Sequence, residues 1–268
     1  MPQIPSLEEL LQAGVHFGHA TDKWSPKMAS FLFTHRGGVH IIDLDKTREY
    51  LEKACAYVKE LALQGKTILF VGTKPQARDI VRKYAEDAKV PYVVERWIGG
   101  TLTNLPVILG MAKKLKMINE ADESGELKRK YTKKERLMFG RDKERLDREI
   151  GGIKDVTELP GALFVVGAKE EDTAIREAHR KGIPVIGIAD SNVDPDRLDV
   201  IIPANDDAVK SIELITRLIA EAVKEGKAER DSAKQQAAEQ AKPPVEAKVE
   251  EPVVAPEEEV VPAPAEVV

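Results

Sequence analysis

The chain of 268 residues is 42% hydrophobic, 32% charged and only 5% aromatic, with a formal net charge of −5. That length allows one large or two modest domains with a sizeable core, while a single cysteine, Cys55, excludes a disulfide framework or multi-cysteine zinc site and fits a reducing cytoplasm. The opening Met1-Pro2-Gln3-Ile4-Pro5 lacks the pattern of a signal peptide, and the uncharged run 97–112 has 16 residues where a spanning helix needs about 20, so secreted and membrane readings are set aside.

In chain order, Ser6-x-x-Glu9 is a capping box ahead of Leu7, Leu10 and Leu11, which predicts a short N-terminal helix. The apolar run 39–43 reads as the first strand, followed by a helix from 46 to about 63. Thr67-Ile68-Leu69-Phe70-Val71 is the second strand; Gly72 ends it, and Pro75 suits the first turn of a helix running to about 89. Residues 91–95, 162–166 and 184–188 are the next strands, with a helix over 172–180 and an extension of the sheet at 200–202. A last helix over 206–224 carries apolar residues at 209, 212, 215, 218, 219 and 223. Near-continuous apolar strands separated by helices predict an α/β fold, a parallel sheet with helices on both faces, whose binding edge is at the carboxyl ends of the strands.

Residues 106–150 interrupt this rhythm and contain no strand-like run. Ile108, Met111, Leu115 and Ile118 form one narrow stripe; Tyr131, Met138, Leu146 and Ile150 form a weaker one, with Ser124-Gly125 as the turn between. Two helices with a thin seam are therefore expected to project as a coiled-coil-like hairpin inserted into a sheet domain of 1–105 and 151–225. Over 111–150 there are 13 basic and 9 acidic residues. Residues 226–268 read as a disordered, acidic, Pro-rich tail. From Lys242 onward, two Lys and seven Glu supply the whole net charge of −5, and the remaining 39 basic and 39 acidic residues cancel. The tail is either an inert extension or a segment that faces solvent or a basic protein.

Several segments offer chemistry. Gly65-Lys66-Thr67 is not a phosphate loop, because position 60 is Glu and the motif precedes a strand. Gly72-Thr73-Lys74 sits at a strand end before a helix, as a plain turn or one in which Lys74 touches an RNA phosphate. In Arg96-Trp97-Ile98-Gly99-Gly100-Thr101-Leu102-Thr103-Asn104 a cation and an aromatic precede two glycines that admit close approach of a partner. The alternative there is a Gly-rich turn with Trp97 in the core. Gly14-Val15-His16-Phe17-Gly18-His19 precedes Lys23-Trp24-Ser25-Pro26-Lys27-Met28. His19 is either a hydrogen-bonded structural residue or, with Asp190 and Asp206, a ligand to a zinc or magnesium ion. No G-x-S-x-G, H-E-x-x-H or dinucleotide fingerprint occurs, and Cys55 falls in a helical segment.

Those segments carry a resemblance. Ala13-Gly14-Val15-His16-Phe17-Gly18-His19, Trp24-x-Pro26-Lys27-Met28, Val39-His40-Ile41-Ile42-Asp43-Leu44, Phe70-Val71-Gly72-Thr73-Lys74, the 96–104 loop, Gly151-Gly152-Ile153-Lys154 and Ile188-Ala189-Asp190-x-Asn192-x-Asp194-Pro195 together resemble the bacterial small-subunit ribosomal protein S-two (universal uS-two) family. The resemblance covers residues 7 to about 225 and implies a flavodoxin-like sheet domain with a protruding helical hairpin. It also implies a cytoplasmic, ribosome-bound, non-enzymatic component of the small (30S) subunit in translation, with no required cofactor, small-molecule substrate or membrane. The implied partners are small-subunit ribosomal RNA and neighbouring proteins, including the OB-repeat protein that captures mRNA. Carried onto this sequence, His16, Lys23, Trp24, Lys27, Lys74, Arg96, Trp97, Thr101 and Asn104 are RNA- or partner-facing candidates. Charge adds the hairpin cations Lys113, Lys114, Lys116, Lys128, Arg129, Lys130, Lys133 and Lys134, which would contact phosphate and shape more than base edges. Two rivals are a flavodoxin-like ligand-binding module or enzyme using Gly72-Thr73-Lys74 and Asp190, and a free-standing RNA-binding regulator.

Overall fold

The structure, a computed structural model, describes residues 2–240. Helix α1 (Leu7–Gln12) starts with the expected capping box: the Ser6 hydroxyl accepts from the Glu9 N–H and the Glu9 carboxylate accepts from the Ser6 N–H. Strands β1 (Phe17–Ala20), β2 (Leu32–Arg36) and β3 (Val39–Ile42) then form an antiparallel sheet in the order β1-β3-β2. Gly37 and Gly38 close the β2–β3 hairpin with φ of 61° and 76°, the left-handed values a two-residue turn requires. The run 39–43 is thus a strand, but it is the centre of this small sheet and not the start of the parallel one. An apolar Val/Ile run fits either place, and β1 and β2 lack the alternation that would have revealed them as its partners.

The parallel sheet comprises β4 (Ile68–Val71), β5 (Tyr92–Val93), β6 (Ala162–Val165), β7 (Val185–Ala189) and β8 (Val200–Pro203), in the order β5-β4-β6-β7-β8. Numbered within the sheet this is 2-1-3-4-5, the flavodoxin-like winding, with its switch point between β4 and β6. Helices α2 (Leu44–Leu63), α3 (Arg78–Asp87), α7 (Asp172–Arg180) and α8 (Val209–Gln240) pack around it. Alternate residues feed two cores, as the pleat demands. Ile68, Phe70, Phe164, Ile186 and Ile202 join the layer that includes α2 and α8, whereas Leu69, Val71, Leu163 and Val165 join the other. Phe70 and Phe164, opposite each other across β4 and β6, meet edge to face at 5.0 Å.

The insertion is built from α4 (Leu105–Glu123), α5 (Glu126–Lys130) and α6 (Lys133–Ile150), with Gly125 at φ 71° in the expected turn. Its seam is thin: Ile108, Ala112, Leu115, Ile118, Leu146 and Ile150 are buried and continuous with the second core. Met138, expected in the seam, is 60% exposed; Phe139 takes its place, 4.9 Å from the Tyr131 ring.

Helix α8 corrects the expected end of the domain. A Gly and a polar run predict a stop at 224, but the helix continues through Gly226 to Gln240. Gly226 is a crossing point and not a break: a Cβ there would lie 2.4 Å from the Lys59 carbonyl oxygen and 2.8 Å from the Ala62 Cβ, both on α2. Just beyond it, the Lys227 ammonium donates to the carbonyls of Ala88 and Lys89, each at 2.9 Å. The remainder of the acidic, Pro-rich segment, 241–268, lies outside the described residues.

Candidate nucleic-acid interface and the side chains that shape it

At the carboxyl edge, the switch-point position is filled by the protein's own side chains. Lys74, 8% exposed, extends from the loop after β4 over Gly167, whose φ is 83° and where a Cβ would sit 3.0 Å from the Lys74 Cδ. Its ammonium lies 2.7 Å from Asp206 Oδ1, 2.8 Å from Asp207 Oδ1 and 3.7 Å from Glu170 Oε2. Burial opposes its charge, but these carboxylates outweigh burial and hold its pKa above the ordinary lysine value. Burial pushes the fully enclosed Asp206 up to about 6, against the pull of Lys74. Beside them the buried Glu171 carboxylate accepts the Thr73 N–H at 2.7 Å. Lys74 therefore stands inside the molecule, not on a surface open to phosphate.

The small sheet docks on this same edge. The His19 N–H donates to Ser191 Oγ at 2.8 Å and to Asp190 Oδ1 at 3.2 Å, and the Ser25 N–H donates to the Ser191 carbonyl at 2.7 Å. Gly18 permits the approach, since a Cβ there would be 2.9 Å from Ser191 Oγ. The His19 ring faces Asp190 Oδ2 with Nδ1 at 3.1 Å and Asp207 Oδ2 with Nε2 at 3.3 Å. The hydrogen bond to Asp190 is the main reason its pKa lies above the ordinary histidine value. The structure thus gathers His19, Asp190 and Asp206, and adds Asp207. His16 is half-buried against Phe17 at 4.0 Å, and burial lowers its pKa.

The 96–104 loop is organised from within. Glu177 on α7, 6% exposed, accepts from Trp97 Nε1 at 3.2 Å and from the N–H groups of Gly100, Leu102 and Thr103 at 2.7, 3.0 and 3.1 Å. The Thr103 hydroxyl adds a fifth bond at 3.1 Å. Burial disfavours this carboxylate, yet the donors prevail and its pKa falls below the usual range. Trp97 and Thr101 are buried, the latter donating to the Ile98 carbonyl at 2.6 Å. The structure places Trp97 inside this turn. Arg96 and Asn104 remain exposed on its outer side.

The other candidates divide by whether an acid already holds them. Lys27 bonds Asp194 at 2.9 Å and Asp196 at 2.6 Å; Trp24 is half-buried, its ring 4.9 Å from that of His40. Lys114 pairs with Asp142 at 2.7 Å, Lys116 with Asp155 at 3.0 Å and Lys130 with Glu126 at 2.5 Å, while Arg129 donates to the Ser124 carbonyl at 3.3 Å. Lys23, Lys113, Lys128, Lys133 and Lys134 are exposed with no acidic partner among the described residues.

The profile of the family described as Ribosomal protein S2 matches residues 10–226 of this sequence. The chain belongs to the ribosomal protein S2 family. It is 47% identical over 223 residues to the "Small ribosomal subunit protein uS2" of Acidothermus cellulolyticus (strain ATCC 43068 / DSM 8971 / 11B), covering 83% of this chain and 81% of that protein. It is 46% identical over 226 residues to the protein of the same name from Thermobifida fusca (strain YX), covering 84% of this chain and 77% of the relative. As an S2-family member it is a structural component of the small ribosomal subunit, acting in translation, and not an enzyme. Among the described residues no helix is long and apolar enough to cross a membrane.

Two parts of this S2-family surface escape a reading of the sequence. Glu177 carries no signal there, since it is one more acid on an amphipathic helix, 74 to 80 positions from the groups it binds. The tip of the β2–β3 hairpin presents Phe33, 76% exposed, with exposed His35 on the same strand face and Arg36 beside the Gly-Gly turn. Gly37-Gly38 after a short β-prone run is the available signal for it.

Proposed function

We propose that small-subunit ribosomal RNA holds this chain through phosphate contacts to the unpaired cations of the projecting hairpin, Lys113, Lys128, Lys133 and Lys134, with Lys23 and Arg96 contributing from the sheet domain. The observation that carries this is the separation of the hairpin cations into two sets. Lys114, Lys116 and Lys130 are paired with neighbouring acids, whereas Lys113, Lys128, Lys133 and Lys134 have no acidic partner among the described residues, on a helical insertion too thin-cored to be justified by its own packing. Lys74, Trp97 and Thr101 contribute by shaping the edge and the loop, not by touching RNA. The reading is tested by co-sedimentation of the full chain with small subunits across a salt series. Changing Lys113, Lys128, Lys133 and Lys134 together to Glu is expected to release the protein at markedly lower salt, with the salt slope falling by about one for each phosphate no longer neutralised. The melting midpoint should hold, because exposed unpaired side chains contribute within about 0.5 kcal/mol each. An unchanged salt profile would refute the assignment.

Contact with the OB-repeat mRNA-capturing protein fits a different surface. Leu7, Leu11 and Phe17 are 38%, 54% and 50% exposed, apolar side chains suited to contact with protein and not with phosphate. Leu11→Asp should weaken capture of that protein in a pull-down while leaving sedimentation with protein-depleted subunits intact; loss of both, or of neither, would count against this division.

A further inference from the structure

An open polar cleft of about 620 Å³ lies at the amino edge of the parallel sheet, between the loop after α2, the entry to β5 and residues 155–161 ahead of β6. Lys66 and Lys89 stand exposed on its walls with no acidic partner among the described residues. Gly161 makes room for the Lys66 stem, since a Cβ there would lie 2.6 Å from the Lys66 Cβ. Helix α8 passes the same corner: Lys227 donates to the carbonyls of Ala88 and Lys89, and a Cβ on Gly65 would lie 3.4 Å from Arg230 Nη1. The acids at hand are mostly taken, Asp231 by Arg230 at 2.9 Å, Asp87 by Lys224 at 2.6 Å and Asp155 by Lys116 at 3.0 Å. Glu158 alone is left against Lys66, Lys89 and Lys227. Burial lowers the Lys227 pKa, and the charges of Arg230 and Lys89 add to this against Asp231.

We propose that the chain's own acidic end, the segment around Glu257-Glu258-Glu259, docks in this cleft against Lys66 and Lys89. That segment lies outside the described residues, and its charge and its point of attachment carry the argument. From Val249 to Val268 there are six Glu and no Lys or Arg, so its sign is opposite to that of the corner. Gln240, the last described residue of α8, is ten residues past Arg230, about 15 Å along the helix. Glu257 is 17 residues further on. Seventeen residues span about 20–25 Å as a coil and about 53 Å as polyproline II, so either form can turn back over that distance. A tether of this length holds the segment near the cleft at a local concentration in the mM range, where weak exposed ion pairs suffice. The hairpin cations are the competing site, but α8 packs on α2 and α3 and delivers the segment to the amino edge. Docked there, the tail is the corner's counter-ion and keeps RNA phosphate from it. The proposal does not rest on the RNA reading, since neither lysine belongs to the hairpin.

The test uses the full chain with a nitroxide spin label introduced through Ala255→Cys, which leaves every tail glutamate in place; Cys55 is buried and stays unlabelled in native buffer. Paramagnetic broadening of backbone amide signals reports where the label sits. Gly65, Val90 and Gly161, around the cleft, are expected to broaden strongly, and Gly110 and Gly140 in the insertion and Gly37 at the β2–β3 turn only weakly. In about 1 M salt, where the screening length falls to about 3 Å, the broadening at the cleft should fade. Lys66→Glu with Lys89→Glu, both at exposed positions, should remove it at low salt and leave the melting midpoint in place. Broadening spread evenly over the surface, broadening concentrated on residues 113–134, or an undiminished effect in the double variant would each overturn the docking. The salt series needs no charge reversal, so broadening that persists through it overturns the docking as well.

Discussion

Glu177→Gln replaces a carboxylate by an isosteric amide and isolates the electrostatic role of a residue that five donors surround. One oxygen accepts from Trp97 Nε1 and Gly100 N–H, the other from Leu102 N–H, Thr103 N–H and Thr103 Oγ. The amide offers one acceptor, and its NH2 must face one of the two groups. Each group contains a bond shielded from water, Trp97 Nε1 in one and Leu102 N–H in the other, so either orientation strands a buried donor. The expected loss is about 1–3 kcal/mol for that donor. Glu177→Ala strands both, for about 2–6 kcal/mol. Urea unfolding followed by tryptophan fluorescence measures both changes. The folded-state pKa of Glu177 is depressed, so its contribution is complete above the unfolded carboxylate value of about 4.3 and is lost as pH falls through the folded value. The gap between wild type and Glu177→Gln should therefore narrow on acidification. Equal urea midpoints at neutral pH, or a gap that widens in acid, would refute the idea that this carboxylate builds the 96–104 loop.

Two helix glycines should respond with opposite sign in the same urea assay. Gly226→Val drives a side chain into the α2 backbone and should destabilise by at least the ~1–3 kcal/mol of an overpacked core, whereas Gly110→Ala, with no atom within 4 Å of the new Cβ, should stabilise α4 by about 0.5–1 kcal/mol. A neutral or stabilising Gly226→Val would show that α8 does not cross α2 as described, and a destabilising Gly110→Ala would show that α4 is not open at that position. Cys55 is enclosed, and burial, with Glu221 and Glu225 nearby, pushes its thiol up to about 12. A thiol-specific disulfide reagent should react with it slowly in native buffer and rapidly in urea, so native-state labelling at the unfolded rate would contradict its burial.

The strands of the parallel sheet are legible in the sequence because each is a short apolar run flanked by turn chemistry, and β4, β6 and β7 are buried along their length. The helical character of the segment after residue 105 is legible from its break in that rhythm. Features that depend on tertiary crossing are not. Gly226 looks like a helix terminator in sequence and acts as a contact point only because α2 lies against it. Lys74 looks like a loop cation and is internal only because Asp206 and Asp207, more than 130 residues away, close over it. Among the hairpin lysines, composition supplies the charge, but only the geometry separates those held by Asp142, Asp155 or Glu126 from those left open.

The fold itself argues for a scaffold. In a doubly wound sheet the crevice at the switch point is the usual place for a small ligand. In this chain Lys74 crosses it, Glu171 takes the Thr73 N–H that would otherwise face a ligand, and β1 lies over the neighbouring loop through Gly18 and His19. The position used elsewhere for chemistry is thus spent on holding a second sheet in place. What remains available for partners lies at the periphery: the Phe33–Arg36 tip, the outer side of the 96–104 loop and the open cations of the hairpin. If the RNA contacts proposed above hold, a packed centre with charged extensions would keep separate elements of a large RNA in fixed relation, which a compact ligand-binding domain with its cleft at the sheet edge could not do.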